Sequence, residues 1–99
     1  MTRSYSARLN TAPDVMFRTI GDESVILNLN NEQYLGLDTV GTRMWTLLNG
    51  SGSIQEAYES LLAEFDVEPV RLRNDLNELI DQLLEHGLIE ITSSDNVTE

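Results

Sequence analysis

The chain has 99 residues, and its 17 acidic side chains outnumber 6 basic ones, for a formal net charge of −11. All the basic residues are Arg (Arg3, Arg8, Arg18, Arg43, Arg71, Arg73), so there is no basic stripe to displace counterions from nucleic-acid phosphates or to seek an anionic membrane. With no cysteine, disulfide scaffolds, thiolate metal sites and cysteine nucleophiles are excluded.

The length suits one domain with a modest core, and 40 % hydrophobic residues suit a globular chain. No apolar run reaches spanning length and the N-terminus has no signal-like core, so a cytoplasmic protein is expected. Residues 1–13 are polar and end at Pro13, and they read as a flexible arm. The domain is expected over 14–91, with a flexible tail at 92–99.

From Val15 the composition turns to strand formers. Met16 to Ile20 predicts a first strand, stopped by the turn Gly21-Asp22-Glu23. A second strand follows over Ser24–Leu29, with Val25, Leu27 and Leu29 alternating onto one face. After Asn30-Asn31-Glu32, Gln33 to Leu37 predicts a third. Tight turns make the three an antiparallel meander.

Beyond Asp38 the apolar period changes from two to 3.6. Asp38 or Thr39 can cap a helix carrying Val40, Met44, Leu47 and Leu48, with Trp45 alongside and Asn49-Gly50 at its end. Ser53-Ile54-Gln55-Glu56 forms a capping box that opens a second helix, whose stripe is Ile54, Ala57, Tyr58, Leu61, Leu62 and Phe65. Pro69 suits the first turn of a third helix, which Gly87 terminates, and Leu88 to Ile91 alternates as a short strand. The fold class is therefore α+β and winged helix-turn-helix-like, a three-stranded antiparallel sheet followed by three helices.

Candidate chemistry is sparse. His86, the single histidine, lies in the last turn of the third helix, where the helix dipole favours a cation, and it reads as a cap. Asp75, Glu78, Asp81 and Glu85 recur at helical spacing but lack a second ligand type, so they read as a solvated face. Gly50-Ser51-Gly52 has neither the strand before it nor the Lys after it that a phosphate loop needs. No Asp-Ser-Leu motif is present to carry a phosphopantetheine arm. No catalytic residue, metal site or cofactor is expected.

The third helix offers one positive feature. Its main stripe is Leu72, Leu76, Leu79 and Leu83, and Val70, Ile80 and Leu84 widen the apolar arc towards Arg73 and Asn77. That surplus is either extra core or one wall of a groove, and a helical wall beside a strand edge holds an extended peptide.

The stretch Asn31-Glu32-Gln33-Tyr34-Leu35-Gly36-Leu37-Asp38-Thr39-Val40-Gly41-Thr42-Arg43-Met44-Trp45 resembles the PqqD-like proteins, with an aromatic strand running into a Gly-x-Arg-x-Trp helix start. Ala63-Glu64-Phe65-Asp66-Val67 and the helix ending Leu83-Leu84-Glu85-His86-Gly87-Leu88-Ile89 resemble the family's second half. The similarity runs from about Val15 to Ile91. It implies a recognition element for ribosomally made, post-translationally modified peptides (RiPPs), which binds the leader segment of a precursor as an added strand on the third strand and beside the third helix. Carried over by position, the strand wall is Glu32, Gln33, Tyr34, Leu35, Gly36 and Leu37, and the helix wall is Val70, Arg73, Asn77, Ile80 and Leu84. Ile80 and Leu84 would pocket apolar leader anchors, and Arg73 or Asn77 would meet polar or acidic leader groups. A rotated helix would instead turn Arg71, Asn74 and Asp75 to the strand.

The resemblance also implies partners, namely the precursor leader and a modifying enzyme. The first expectation for that enzyme is the leader peptidase of a lasso peptide pathway, and the alternative is a radical SAM enzyme in pyrroloquinoline quinone or other RiPP synthesis. A winged-helix transcription regulator is the third reading, which the charge opposes. The acids are expected on outer helix faces and turns, away from the groove, where they would speed encounter with a basic leader or enzyme patch.

Overall fold

The computed structural model describes residues 7–93. In chain order the elements are β1 (Ala7–Thr11), β2 (Val15–Ile20), β3 (Glu23–Asn28), β4 (Tyr34–Leu37), α1 (Thr39–Ser51), α2 (Ile54–Glu64), α3 (Pro69–Glu85) and β5 (Ile89–Ser93). The three-stranded antiparallel sheet has the order β2-β3-β4, so the third strand expected from sequence is β4, at the edge. The architecture is α+β and winged helix-turn-helix-like, as the pattern predicted.

The helix boundaries follow from local chemistry. The Asp38 carboxylate accepts the Gly41 N–H at 2.8 Å and caps α1, while Gly52, left-handed at φ 71°, closes it two residues beyond the expected stop. Ser53 Oγ accepts the Glu56 N–H at 3.2 Å, the first half of the expected capping box. The Ser53 N–H donates to Ser51 Oγ at 3.0 Å, the place Glu56 was expected to fill. Pro69 opens α3 and Gly87, at φ 70°, follows its end.

These helices close one core. Trp45, Leu48, Ile54, Leu61, Leu76, Ile80, Leu83 and Leu88 are fully buried around Ile26 of β3, and Phe17 lies against Trp45 with ring centres 6.0 Å apart. Arg43 and Glu64 join α1 to α2 through a contact of 2.8 Å.

One expectation is corrected. The N-terminal segment is not a loose arm over its whole length, because β1 pairs antiparallel with β5 (Leu9 opposite Ile91, Thr11 opposite Ile89) and buries Leu9. The Leu9 N–H donates to the Gly52 carbonyl at 2.9 Å, and Arg8 Nη2 donates to the Ser51 carbonyl at 2.9 Å, which fastens β1 to the α1–α2 turn. β5 runs to Ser93, two residues into the expected tail. The remaining parts of the arm and tail, 1–6 and 94–99, lie outside the described residues.

β3 turns inward the face opposite to Val25 and Leu27. Ser24, Ile26 and Asn28 are buried, Val25 and Leu27 are half-buried, and Leu29 is 54 % exposed. The buried polar groups have partners, which removes the cost of taking them from water. Ser24 Oγ and Thr42 Oγ1 share a hydrogen bond of 2.7 Å, and Asn28 Nδ2 donates to the Gly87 carbonyl at 2.7 Å. Asn28 Oδ1 also accepts the Asn30 N–H at 2.8 Å.

Candidate functional site

Among the described residues, β4 is paired on one side only. Its register with β3 sets Leu27 opposite Tyr34, Ile26 opposite Leu35, Val25 opposite Gly36 and Ser24 opposite Leu37. Leu35 and Leu37 therefore share the core face with Ile26, while Tyr34 and Gly36 share the outer face with Leu27 and Val25. The free edge presents unpaired N–H and C=O groups, the feature that lets a further strand join a sheet.

Beside this edge lies an open groove of about 550 Å³ between β4, the start of α1 and one flank of α3. Leu37, Val40, Met44 and Leu79 supply its apolar surface, and Asp38, Asp75, Glu78 and Gln82 its polar surface. A helix turns about 100° per residue, so Asp75, Glu78, Leu79 and Gln82 fall together on one flank of α3. Gly41 permits the tight approach of α1 to the strand end, since a Cβ there would lie 3.2 Å from the Asp38 carboxylate and 3.4 Å from Leu37 Cβ.

The residues expected to bind divide sharply. Tyr34, Leu35, Gly36 and Leu37 form β4, and Gly36 and Leu37 line the groove. Glu32 and Gln33 belong to the preceding turn. Glu32 has φ 62° and donates its N–H to the Asn28 carbonyl at 2.8 Å. The Gln33 N–H donates to Asn31 Oδ1 at 2.9 Å and its carbonyl accepts the Asn28 N–H at 2.8 Å, so both of its main-chain groups are engaged within the turn.

The expected helix wall faces elsewhere. Ile80 is fully buried in the core, Val70 is 70 % exposed, Asn77 is half-buried and Leu84 is exposed; none of them lines the groove. The Arg73 guanidinium carbon sits 4.9 Å from the centre of the Tyr58 ring, on the flank towards α2. Of the rotated alternative (Arg71, Asn74, Asp75), Asp75 lines the groove.

Of the α3 residues that line the groove, sequence reasoning named Asp75 alone, in the rotated alternative, and missed Glu78, Leu79 and Gln82 as wall residues. The extra apolar arc, open in sequence as either core or a groove wall, is core at Ile80. The acids, expected away from the groove, in part line it. Within one helix both flanks of the leucine stripe were open, and only contact with α2 decides between them. Elsewhere, the Arg43 guanidinium hydrogen-bonds the Glu64 carboxyl and holds it below the usual carboxylate range. His86 Nδ1 lies 2.8 Å from the Gln82 carbonyl, in keeping with a local role at the end of α3.

A free strand edge beside an apolar-floored groove defines a small domain shaped to hold an extended chain. The sequence matches the family described as Coenzyme PQQ synthesis protein D (PqqD) over residues 23–89. The chain belongs to the PqqD family of RiPP recognition elements.

Among solved structures it is similar to TbiB1 in complex with the TbiA(beta) leader peptide, at 32 % identity and a TM-score of 0.76, covering 82 % of this chain and 94 % of that one. A lasso peptide synthetase B1 complexed with its leader peptide shares the fold at 19 % identity and a TM-score of 0.74, covering 84 % and 98 %. No curated protein sequence matches the chain. Among the described residues, no helix is long and apolar enough to cross a membrane.

Proposed function

We propose that this chain binds the leader segment of a ribosomally synthesised precursor peptide and delivers it to a modifying enzyme, the leader peptidase of a lasso peptide pathway. The leader adds as a strand to the free edge of β4 along Tyr34–Leu37 and lies against the Asp75–Gln82 flank of α3. The observation that carries this reading is the coincidence of an unpaired edge strand with an adjoining groove of about 550 Å³, in a chain 32 % identical to TbiB1, whose solved structure holds a leader peptide. The chain itself performs no catalysis in this reading.

A surface for the enzyme adjoins the groove. The register and strand alternation put Met16, Ile20, Val25, Leu27 and Tyr34 on the outer face of the sheet, with Ile20 70 % and Tyr34 66 % exposed. Tyr34 and Gly36 belong both to this face and to the edge strand, so an enzyme seated there meets the bound leader as the next strand. The PqqD family match favours a second reading, in which the enzyme is a radical SAM enzyme. The net charge of −11 opposes a DNA-binding regulator.

Reconstitution tests the proposal. The precursor encoded beside this protein, its leader labelled, is titrated with the protein and then supplied to the candidate peptidase. Saturable binding and faster leader removal are expected. Absence of binding overturns the reading, and binding without any effect on the peptidase shifts the partner to the radical enzyme.

A further inference from the structure

We propose that the groove beside β4 selects an extended peptide by a cationic side chain, held between Asp75 and Glu78 with its stem along Leu79. The inference rests on the leader-binding reading and adds the chemistry the leader must carry.

Three features of the groove support it. The side chains of an added strand alternate, so every second one turns from β4 towards α3. The wall they meet there is mixed. Leu37, Met44 and Leu79 accept an apolar residue, while Asp75 and Glu78 project acids from the same helical flank. Both carboxylates are exposed, and neither forms an ion pair among the described residues. The third acid, Asp38, already accepts the Gly41 N–H as the cap of α1, which leaves Asp75 and Glu78 as the groove's uncommitted charges.

Lys and Arg are the side chains that match such a wall, since their apolar stems cover hydrophobic surface while their heads remain at a polar rim. An acidic residue at the same position would set a further negative charge against Asp75 and Glu78, on a chain already at −11, and would be rejected. The acids thus specify which strand is taken at an edge that otherwise offers only main-chain groups.

A displayed library of random peptides about twelve residues long, selected on the immobilised full chain, supplies the probe. An enriched peptide is then made with its basic residue kept, changed to Gln, and changed to Glu. Each version is titrated against the wild-type chain and an Asp75→Asn, Glu78→Gln double variant, with β4 amide resonances recorded. Expected are enrichment of Lys or Arg at one inward position, about fivefold weaker binding for the Gln version, as for an exposed ion pair, and a larger loss for Glu. The double variant should bind all three alike while β4 still shifts. Equal binding of the three by the wild type, with β4 shifts intact, overturns the charge selection and leaves the groove reading standing. Peptides that bind without shifting β4 overturn both.

Discussion

Arg73 stacks over Tyr58, 4.9 Å from its ring centre, and so marks the flank of α3 that packs towards α2 rather than towards β4. The rotation of α3 follows from this contact together with the burial of Ile80. Asp75, Glu78, Leu79 and Gln82 are thereby left beside the strand edge. Replacing Arg73 by Ala should lower stability by about 0.5–1 kcal/mol, the scale of an exposed cation–π contact, and leave leader affinity within about twofold. Urea unfolding and a leader titration check the two halves. Lost affinity at unchanged stability would put Arg73 back in the site.

Gly36 separates binding from folding. It lies in β4 with no atom within 4 Å of where a Cβ would stand, so Gly36→Val should fold at least as stably as the wild type, since β-branched residues favour strands. The same isopropyl group would stand on the outer face beside the free edge and crowd the outward-turned side chains of an added strand. Thermal unfolding should show no loss, and leader titration a several-fold weakening. Unchanged affinity would place the peptide elsewhere.

What was legible in the sequence was what short-range chemistry decides. Asp38, Ser53, Pro69 and Gly87 marked helix ends because capping involves residues three or four apart. The inward face of β3 was not legible, because Ser24 and Asn28 are buried through Thr42 and Gly87, which lie 18 and 59 residues away. β1 was hidden for the same reason, since its strand partner, β5, comes from the other end of the chain. The strand half of the site was visible as an aromatic segment before a cap. The helix half depended on which flank met α2, and α3 alone carries no signal for that.

The contact between the two chain regions at Asn28 makes a stability prediction. Gly87 combines φ 70° with a Cβ position only 2.8 Å from Asn31 Nδ2, while its carbonyl accepts Asn28 Nδ2. Gly87→Ala should therefore cost about 1–2 kcal/mol through left-handed strain and crowding. Asn28→Ala should cost about 1–3 kcal/mol, because it strips hydrogen bonds from groups that are partly buried. Denaturant midpoints measure both, and a neutral Asn28→Ala would show that water replaces the lost partner.

The Arg43–Glu64 pair makes a titration prediction. Glu64 should titrate below the ordinary carboxylate range, chiefly through its hydrogen bond from Arg43, and should return to that range in Arg43→Gln. A carboxyl depressed in the folded state stabilises at neutral pH, and that contribution fades as pH falls through the native value. Both groups are solvent-exposed, so the effect on stability should be small and reduced by salt. Carboxyl-carbon NMR titration of the two proteins decides it.

The outer sheet face makes a prediction about the enzyme. Met16, opposite Leu27 on that face, is exposed and lies away from the groove. Met16→Asp should leave leader affinity unchanged and reduce the stimulation of leader removal, measured with the reconstituted peptidase. Full stimulation by this variant would move the enzyme's docking surface elsewhere.

The most direct measurement of the central claim is NMR mapping of a bound leader on the isotopically labelled chain. Large shifts are expected for the amides of Tyr34–Leu37 and for the side chains of Leu79, Gln82, Asp75 and Glu78, with Arg73, Asn77 and Leu84 unmoved. Shifts confined to the Arg73–Leu84 flank, with the β4 amides unchanged, would contradict it.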